Sequence, residues 1–259
     1  IHSTINKRIK LIMAYTTVNN SKQNMNTKRW VGNASNQTIS GIGFQPDFAI
    51  MKKIEDSSSG NFIMQSSSQG LSTYISANVN TAQSTGVSNA ITSFNSDGYV
   101  IGNLGTINGN GDAFCSWNWK ADGVGSSNSD GTITSTYTSP NTTADFSVVT
   151  FTGTGATATV GHGLGKKPAM IWVKVLNATD DWNVWMGNKA SNQIGLLNEA
   201  SGFYTPGDAT IDGSTTTTDV IGLGSGSPGN RSGAPIVAYC WAEIPGYSKF
   251  NTYKGNGSA

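Results

Sequence analysis

Two adjacent carboxylates and two nearby tryptophans form the most site-like cluster in this sequence. Asp180 and Asp181 are followed by Trp182 and Trp185. Carboxylates can hold sugar hydroxyls or a calcium ion, and an indole face can stack on a sugar ring. These four residues are therefore the candidate binding residues, although we favour packing of both tryptophans in the core.

Groups that could carry out catalysis are sparse. The sequence has two histidines, His2 and His162, and His162 lies in a glycine turn where we expect a structural role. Residues 224–227 (GSGS) lack the following helix that a serine nucleophile elbow requires. A glycosidase needs two carboxylates that flank the scissile bond. The carboxylates considered for such a pair are Glu55, Asp56, Asp180, Asp181 and Glu243. We expect these carboxylates to be solvated surface charges. We therefore predict no catalytic residue, no metal, no cofactor and no enzymatic activity.

The charge balance argues against two classes of partner. Only 12% of the residues are charged, the formal net charge is +1, and the one dense basic stretch is residues 7–10 (KRIK). A nucleic-acid-binding or anionic-membrane-binding protein would show a larger basic footprint. No run approaches the roughly 18 apolar residues of a membrane helix. We therefore predict neither a nucleic-acid partner nor a membrane partner.

The composition predicts an all-β fold. Glycine is abundant at 32 residues, and the apolar residues are largely β-branched or aromatic, which favours strands and turns. Helical periodicity is almost absent, since only residues 194–200 could form a short helical turn. Cys115 and Cys240 lie in apolar, strand-like runs and are expected to be buried free thiols. The predicted strands are residues 47–53, 61–65, 99–103, 113–120, 146–151, 169–176 and 236–241.

The sequence contains an internal repeat. Residues 46–52 align with 168–174, and residues 114–119 align with 236–241, both at an offset of about 122. Two further pairs of segments match at an offset of about 120. An aromatic-x-Gly element recurs at Trp30, Phe151 and Tyr253. The chain therefore holds two copies of one unit, and the third aromatic element resembles the start of another copy.

The predicted architecture is two tandem β-sandwich repeats of about 100–120 residues, each with a make-up like that of lectin-type jelly rolls. Within residues 113–119, period-two alternation predicts one buried face and one mostly wet face. The predicted units are a leader or arm (1–29), β repeat 1 (30–123), a Gly/Ser/Thr-rich linker (124–145), β repeat 2 (146–252) and the first strand of a third repeat (253–259).

Three strings resemble a repeat of marine bacteriophage structural proteins. They are residues 41–48 (GIGFQPDF), 159–165 (TVGHGLG) and, as the most specific, 239–250 (YCWAEIPGYSKF). The resemblance covers most of the chain after the leader. It implies a tail-fibre-like or capsid-decorating virion protein, and it brings no catalytic residue with it.

The resemblance implies a structural spacer or host-adhesion module on the virion, outside the host cell. The implied partners are other virion proteins, further copies of the chain and a host surface glycan. One alternative is a secreted or cell-surface, lectin-like adhesin that binds carbohydrate, suggested by the tryptophans and by Asp180 and Asp181. A polysaccharide-degrading enzyme is a weaker alternative, since histidines are scarce and no carboxylate pair is evident from the sequence.

Overall fold

The described residues of the chain form antiparallel sheets joined by turns, and the prediction of an all-β, sandwich-type fold is confirmed. The computed structural model describes residues 16–54, 60–208, 210–226 and 229–256. The strands of the first half are β1 (Met25–Val31), β2 (Gln37–Ser40), β3 (Phe48–Lys53), β4 (Ile63–Ser66), β5 (Thr73–Ser76), β6 (Ser84–Thr85), β7 (Ile91–Asn95), β8 (Gly98–Ile101) and β9 (Ala113–Trp119). The strands of the second half are β10 (Tyr137–Asn141), β11 (Phe146–Thr152), β12 (Ala158–Gly161), β13 (Met170–Val175), β14 (Asn183–Met186), β15 (Gly195–Leu196), β16 (Val220–Leu223) and β17 (Pro235–Trp241).

Helical structure in the described part of the chain is confined to single turns. The α-helix α1 spans Gly105–Asn108, and 3-10 turns span Ser21–Gln23 and Ser67–Gln69. Residues 194–200, the segment whose sequence could form a helical turn, contain β15 instead. None of these helical segments has the length and apolarity that a membrane-spanning helix requires.

The sequence repeat is also a repeat of structure. One large sheet has the order β1-β9-β3-β4-β5-β6, and the other has the order β10-β11-β17-β13-β14-β15. Strands β1, β9, β3, β4 and β5 thus correspond in order to β11, β17, β13, β14 and β15. Each half adds a small sheet, β2-β8-β7 in the first and β12-β16 in the second. Each half is therefore a large sheet covered on one face by a small one.

A buried asparagine holds the same three loop segments together in each half. Asn108 accepts a hydrogen bond from Asn33 N (3.0 Å) and donates to the carbonyl oxygens of Ser35 (2.6 Å) and Gly102 (2.7 Å). In the second half, Asn230 accepts from Thr154 N (2.8 Å) and donates to Ala156 O (2.6 Å) and Gly224 O (3.0 Å). Both asparagines are fully buried. This matched pair is the most detailed structural evidence for the repeat.

Replacing either asparagine with alanine is expected to lower the free energy of unfolding by about 2–4 kcal/mol, because each change leaves buried backbone groups without partners. Asn108→Ala and Asn230→Ala should have similar effects, since the two networks match. Urea denaturation followed by tryptophan fluorescence measures both. A loss below about 1 kcal/mol in both variants would contradict the assigned networks.

The two halves pack face to face through their large sheets. One core lies inside the first half and includes Met51, Tyr99 and Phe114, while another lies inside the second half and includes Val160 and Ile221. A third core contains side chains from the outer faces of both large sheets. The molecule is therefore a stack of four sheets, with the two large sheets in the middle.

The expectation of a wet face on the strand at residues 113–119 is wrong. Ser116 and Asn118 face the inner core of the first half and are fully buried, and Ser116 accepts a hydrogen bond from the Tyr99 hydroxyl (2.8 Å). Trp117 and Trp119, on the opposite face, contact the core between the halves and are partly exposed. Both faces are covered, because this strand belongs to a middle sheet of the stack.

Several elements differ from the expected unit boundaries. Strand β1 begins at Met25, inside the expected leader 1–29, and β10 lies inside the expected linker 124–145, where it covers the edge of β11. Residues 1–15 of the leader lie outside the described residues. In the expected third-repeat strand, residues 253–256 form no strand and residues 257–259 lie outside the described residues. That strand stays a prediction.

Candidate functional site

The candidate site lies between the two large sheets, where aromatic side chains of both halves meet. Strands β9 and β17 are central strands of their sheets, and alternation along each strand turns every second side chain toward the other half. Trp117 and Trp119 face this region from β9, and Tyr239 and Trp241 face it from β17. Corresponding strands thus supply aromatic residues from both halves.

One part of this region is closed. Phe48 and Tyr239 are fully buried, and their rings stack with a centroid distance of 4.4 Å. Phe146 packs against Phe48 at 5.7 Å. The Tyr239 hydroxyl donates a hydrogen bond to Gln69 Oε1 (2.6 Å). These buried contacts join the first half to the second.

The corresponding positions on the other side are open. The strand registers make Met170 the equivalent of Phe48 and Trp117 the equivalent of Tyr239, because Phe48 pairs with Trp119 and Met170 pairs with Trp241. Met170 and Trp117 are both partly exposed, unlike their buried counterparts. The packing between the halves therefore departs from their repeat symmetry and leaves a gap on one side.

This gap is an aromatic cleft, defined by Trp117, Trp119, Met170, Trp172, Trp241 and Phe250. It consists of two adjoining hollows of about 560 and 380 Å³, both of which are lined by Trp119 and Trp172. Trp241 packs edge-on against Trp172 (4.9 Å) and Trp119 (6.3 Å). Trp241 is buried, whereas Trp119 and Trp172 are partly exposed. The cleft thus has a packed aromatic floor and accessible indole walls.

The described lining of both hollows carries no charged side chain. Its polar members are Ser21, Asn78, Tyr247 and Ser248. An ion pair between Lys249 and Glu243 (2.6 Å) lines a neighbouring hollow. A hydrogen bond from Lys249 holds the pKa of Glu243 below its usual value. The cleft is therefore suited to an uncharged ligand.

The indole N–H groups of the packed tryptophans are of two kinds: Trp30 and Trp182 donate to backbone carbonyls, whereas that of Trp185 is buried without a partner among the described residues. Trp30 Nε1 donates to Ile107 O (3.0 Å), and Trp182 Nε1 donates to Ser76 O (2.9 Å). Within the described residues, no hydrogen bond joins the indole N–H of Trp117, Trp119 or Trp172 to the protein. These donors are available to water or to a ligand that carries acceptor oxygens.

The structure does not bring the four residues predicted from the sequence into one site. Trp182 is fully buried between the halves, and Trp185 is buried in the core of the second half. Asp180 forms an ion pair with Arg231 (3.0 Å), and Asp181 accepts a hydrogen bond from Asn198 (2.9 Å). Neither tryptophan presents a face to solvent, so both pack in cores, as the favoured interpretation expected.

A buried lysine beside these carboxylates was missed by the sequence analysis. Lys174 Nζ donates to the carbonyl oxygens of Asn80 (3.0 Å) and Asp180, so it links the two halves. Burial lowers the pKa of Lys174 to about 8, and the carboxylates of Asp180 and Asp181 oppose this shift. The side chain has no exposed area, which indicates a structural role.

The other carboxylates considered for catalysis do not form a described pair. Glu55 and Asp56 lie outside the described residues. Glu243 is paired with Lys249, and Asp180 with Arg231.

Both cysteines are free thiols, with Cys240 buried and Cys115 partly exposed. The aromatic cleft is thus the arrangement with the clearest capacity to bind something.

One protein family includes nearly the whole chain. The family model described as a domain of unknown function (DUF7483) matches residues 20–259. The chain belongs to the DUF7483 family. No curated protein and no solved structure matches the chain. The DUF7483 match spans both repeats, so the family unit includes the cleft between them.

A buried histidine distinguishes the two repeats of this DUF7483 chain. His162 has no exposed area and occupies the position of the equally buried Ile42 in the first half. Its Nδ1 accepts a hydrogen bond from Leu164 N (3.2 Å), and its Nε2 lies 3.4 Å from Thr217 O. Burial lowers the pKa of His162, with smaller opposing effects from Thr217, Asp219 and Asp130. The histidine is therefore neutral in the folded protein near neutral pH.

Stability is expected to fall as the pH drops below about 6.5. In the window between the lowered folded-state pKa of His162 and the ordinary value of 6.5, the unfolded chain binds more protons than the folded one, which favours unfolding. His162→Ile, which copies the first half, should remove this loss. Urea denaturation of both proteins between pH 5 and pH 7.5 tests it. Parallel pH profiles for the two proteins would contradict the assigned state.

Proposed function

We propose that the chain is a non-enzymatic module of a bacteriophage virion surface, in a tail fibre or a capsid decoration. In this role it is a rigid structural spacer that also takes part in host adhesion. Its partners are other virion proteins, further copies of the chain and a glycan on the host surface. Its location is the outside of the virion.

The observation that carries the proposal is the packing of two repeats into one four-sheet stack. A spacer must keep its repeats in a fixed orientation, and here they share an aromatic core and direct hydrogen bonds. Gln83 N donates to Leu176 O (2.8 Å), and Asp180 N donates to Asn80 O (3.0 Å). Buried aromatic area together with paired polar groups favours one fixed arrangement over a flexible link.

The phage resemblance of residues 41–48, 159–165 and 239–250 supports the same proposal. These segments contribute to the core and to the cleft. Ile42 is in the core of the first half, Leu164 is in that of the second, and Trp241 forms the floor of the cleft. The resembling strings are therefore structural parts of the unit.

A second candidate function is a secreted or cell-surface adhesin that binds carbohydrate. The partly exposed indoles of Trp119 and Trp172 favour it, since both line an uncharged cleft. The two candidates share the adhesive surface and differ in where the chain is found.

Mass spectrometry of purified virions, combined with surface labelling of intact particles, tests the proposed function. Labelled peptides of this chain should be recovered from the particles. Separation of heads from tails would then distinguish a capsid decoration from a fibre. Absence of the chain from purified virions would overturn the virion proposal and favour the secreted adhesin.

A further inference from the structure

We infer that the aromatic cleft is a binding site for an uncharged oligosaccharide that lies across the indoles of Trp119 and Trp172. This inference rests on the adhesive part of the proposed function. It moves the glycan site away from Asp180, Asp181, Trp182 and Trp185 to a surface that the two repeats build together.

The cleft exists because the two halves differ at matched positions. Phe48 and Tyr239 close one side of the contact, whereas their equivalents, Met170 and Trp117, leave the other side open. If the two halves had the same residues at these matched positions, both sides of the contact between them would be closed in the same way. The first half has Ile50 at the position where the second half has Trp172. Trp172 therefore adds an indole wall at a position where the repeat does not require one.

The chemistry of the lining selects the class of ligand. Partly exposed indole faces can stack on the apolar faces of sugar rings, and their unpaired N–H groups can donate to hydroxyl or ether oxygens. The described residues that line the two hollows include no charged group that would recognise an acidic or basic ligand. An uncharged chain of sugar rings satisfies both the stacking surfaces and the free donors.

The shape of the cleft favours an oligosaccharide over a single sugar. Each hollow falls in the range of about 300–1,000 Å³ that is typical of small-molecule sites. Trp119 and Trp172 line both hollows, so a ligand that fills both must pass these two indoles. A chain of rings can span them, whereas a monosaccharide can occupy only one.

The test measures the affinity of the purified full chain for four uncharged hexasaccharides, namely cellohexaose, laminarihexaose, mannohexaose and chitohexaose in its fully acetylated form. Titration calorimetry and intrinsic fluorescence provide the readouts, and polygalacturonate is the charged comparison. At least one neutral hexasaccharide should bind in the roughly micromolar to millimolar range, with a change in tryptophan emission. Polygalacturonate should not bind in the cleft.

Four variants test whether the sugar binds in the cleft. Trp172→Ala should weaken binding roughly tenfold or more, and Trp172→Phe should weaken it less, because the ring face remains while the N–H is lost. Leu197→Trp, which fills the smaller hollow, should also weaken binding. Tyr253→Ala removes an aromatic residue that is 95% exposed and outside the cleft, and it should leave binding unchanged. The thermal midpoint of each variant shows whether the chain is still folded.

The inference is overturned if none of the four hexasaccharides binds, or if Trp172→Ala and Leu197→Trp bind as well as the parent chain. It is also overturned if light scattering shows a dimer that these variants dissociate, since the cleft would then be an interface between copies. Recovery of the chain from virions together with failure of sugar binding would remove the inference and leave the virion proposal standing. Sugar binding by a chain that is absent from virions would overturn the virion proposal and leave the inference standing.

Discussion

Replacing Phe48 with alanine is expected to lower the free energy of unfolding by about 3–5 kcal/mol. The side chain is fully buried and contacts three aromatic rings, those of Trp119 (5.3 Å), Phe146 (5.7 Å) and Tyr239 (4.4 Å). Two of these rings belong to the second half. Alanine would leave a cavity in the core between the halves, which the surrounding sheets can fill only in part.

The equivalent position in the second half provides a matched control for Phe48. Met170→Ala removes a partly exposed side chain that lines the cleft, and the expected loss is about 1 kcal/mol. Urea denaturation of both variants, followed by circular dichroism, gives the comparison. Equal losses at the two positions would contradict the asymmetric packing that closes one side of the contact and opens the other.

Replacing Trp182 with alanine is expected to lower the free energy of unfolding by about 3–5 kcal/mol. This side chain is fully buried between the halves, stacks near Tyr239 (6.3 Å) and donates its indole N–H to Ser76 O (2.9 Å). Trp182→Phe keeps much of the packing and loses the hydrogen bond, so the expected loss is about 1–2 kcal/mol. Denaturation curves of both variants provide the measurement.

The Trp182 variants also separate the two interpretations of the Asp180–Trp185 cluster. A tryptophan that stacks on sugar from an exposed surface would contribute little to stability, and its replacement would weaken sugar binding in a fully folded protein. A change of less than about 1 kcal/mol in Trp182→Ala would therefore contradict its placement in the core.

The repeat and the main strands could be predicted from the sequence because their signals are local. Alternating apolar residues mark β9, a continuous apolar run marks β17, and a proline before the strand marks β3 and β13. Strands β1, β2, β5, β6, β7, β12, β14, β15 and β16 were missed. Apart from β1, each of these strands has five residues or fewer, which is too short for a clear periodic pattern. Strand β10 lies in a polar segment that was interpreted as a linker, and its pairing with β11 became evident only in the folded sheet.

The site could not be predicted because it depends on contacts between the halves. Trp117, Trp119 and Trp172 have the same residue type as the buried Trp182 and Trp185, and the sequence gives no sign of which indoles remain accessible. Asp180 and Asp181 were chosen because charged and aromatic residues adjoin there, whereas their partners Arg231 and Asn198 are distant in sequence. Comparison of matched repeat positions, such as Ile50 with Trp172, is the one sequence signal that could have pointed to the cleft.

Hydroxyl-radical footprinting of the native chain, read by mass spectrometry, tests most directly the claim that the halves stack through their large sheets and leave an open aromatic cleft. The account predicts rapid oxidation of Trp117, Trp119 and Trp172 and strong protection of Trp182 and Trp185. Oxidation of Trp182 at the rate of Trp172 would show that the halves do not pack in this way, and would contradict the account.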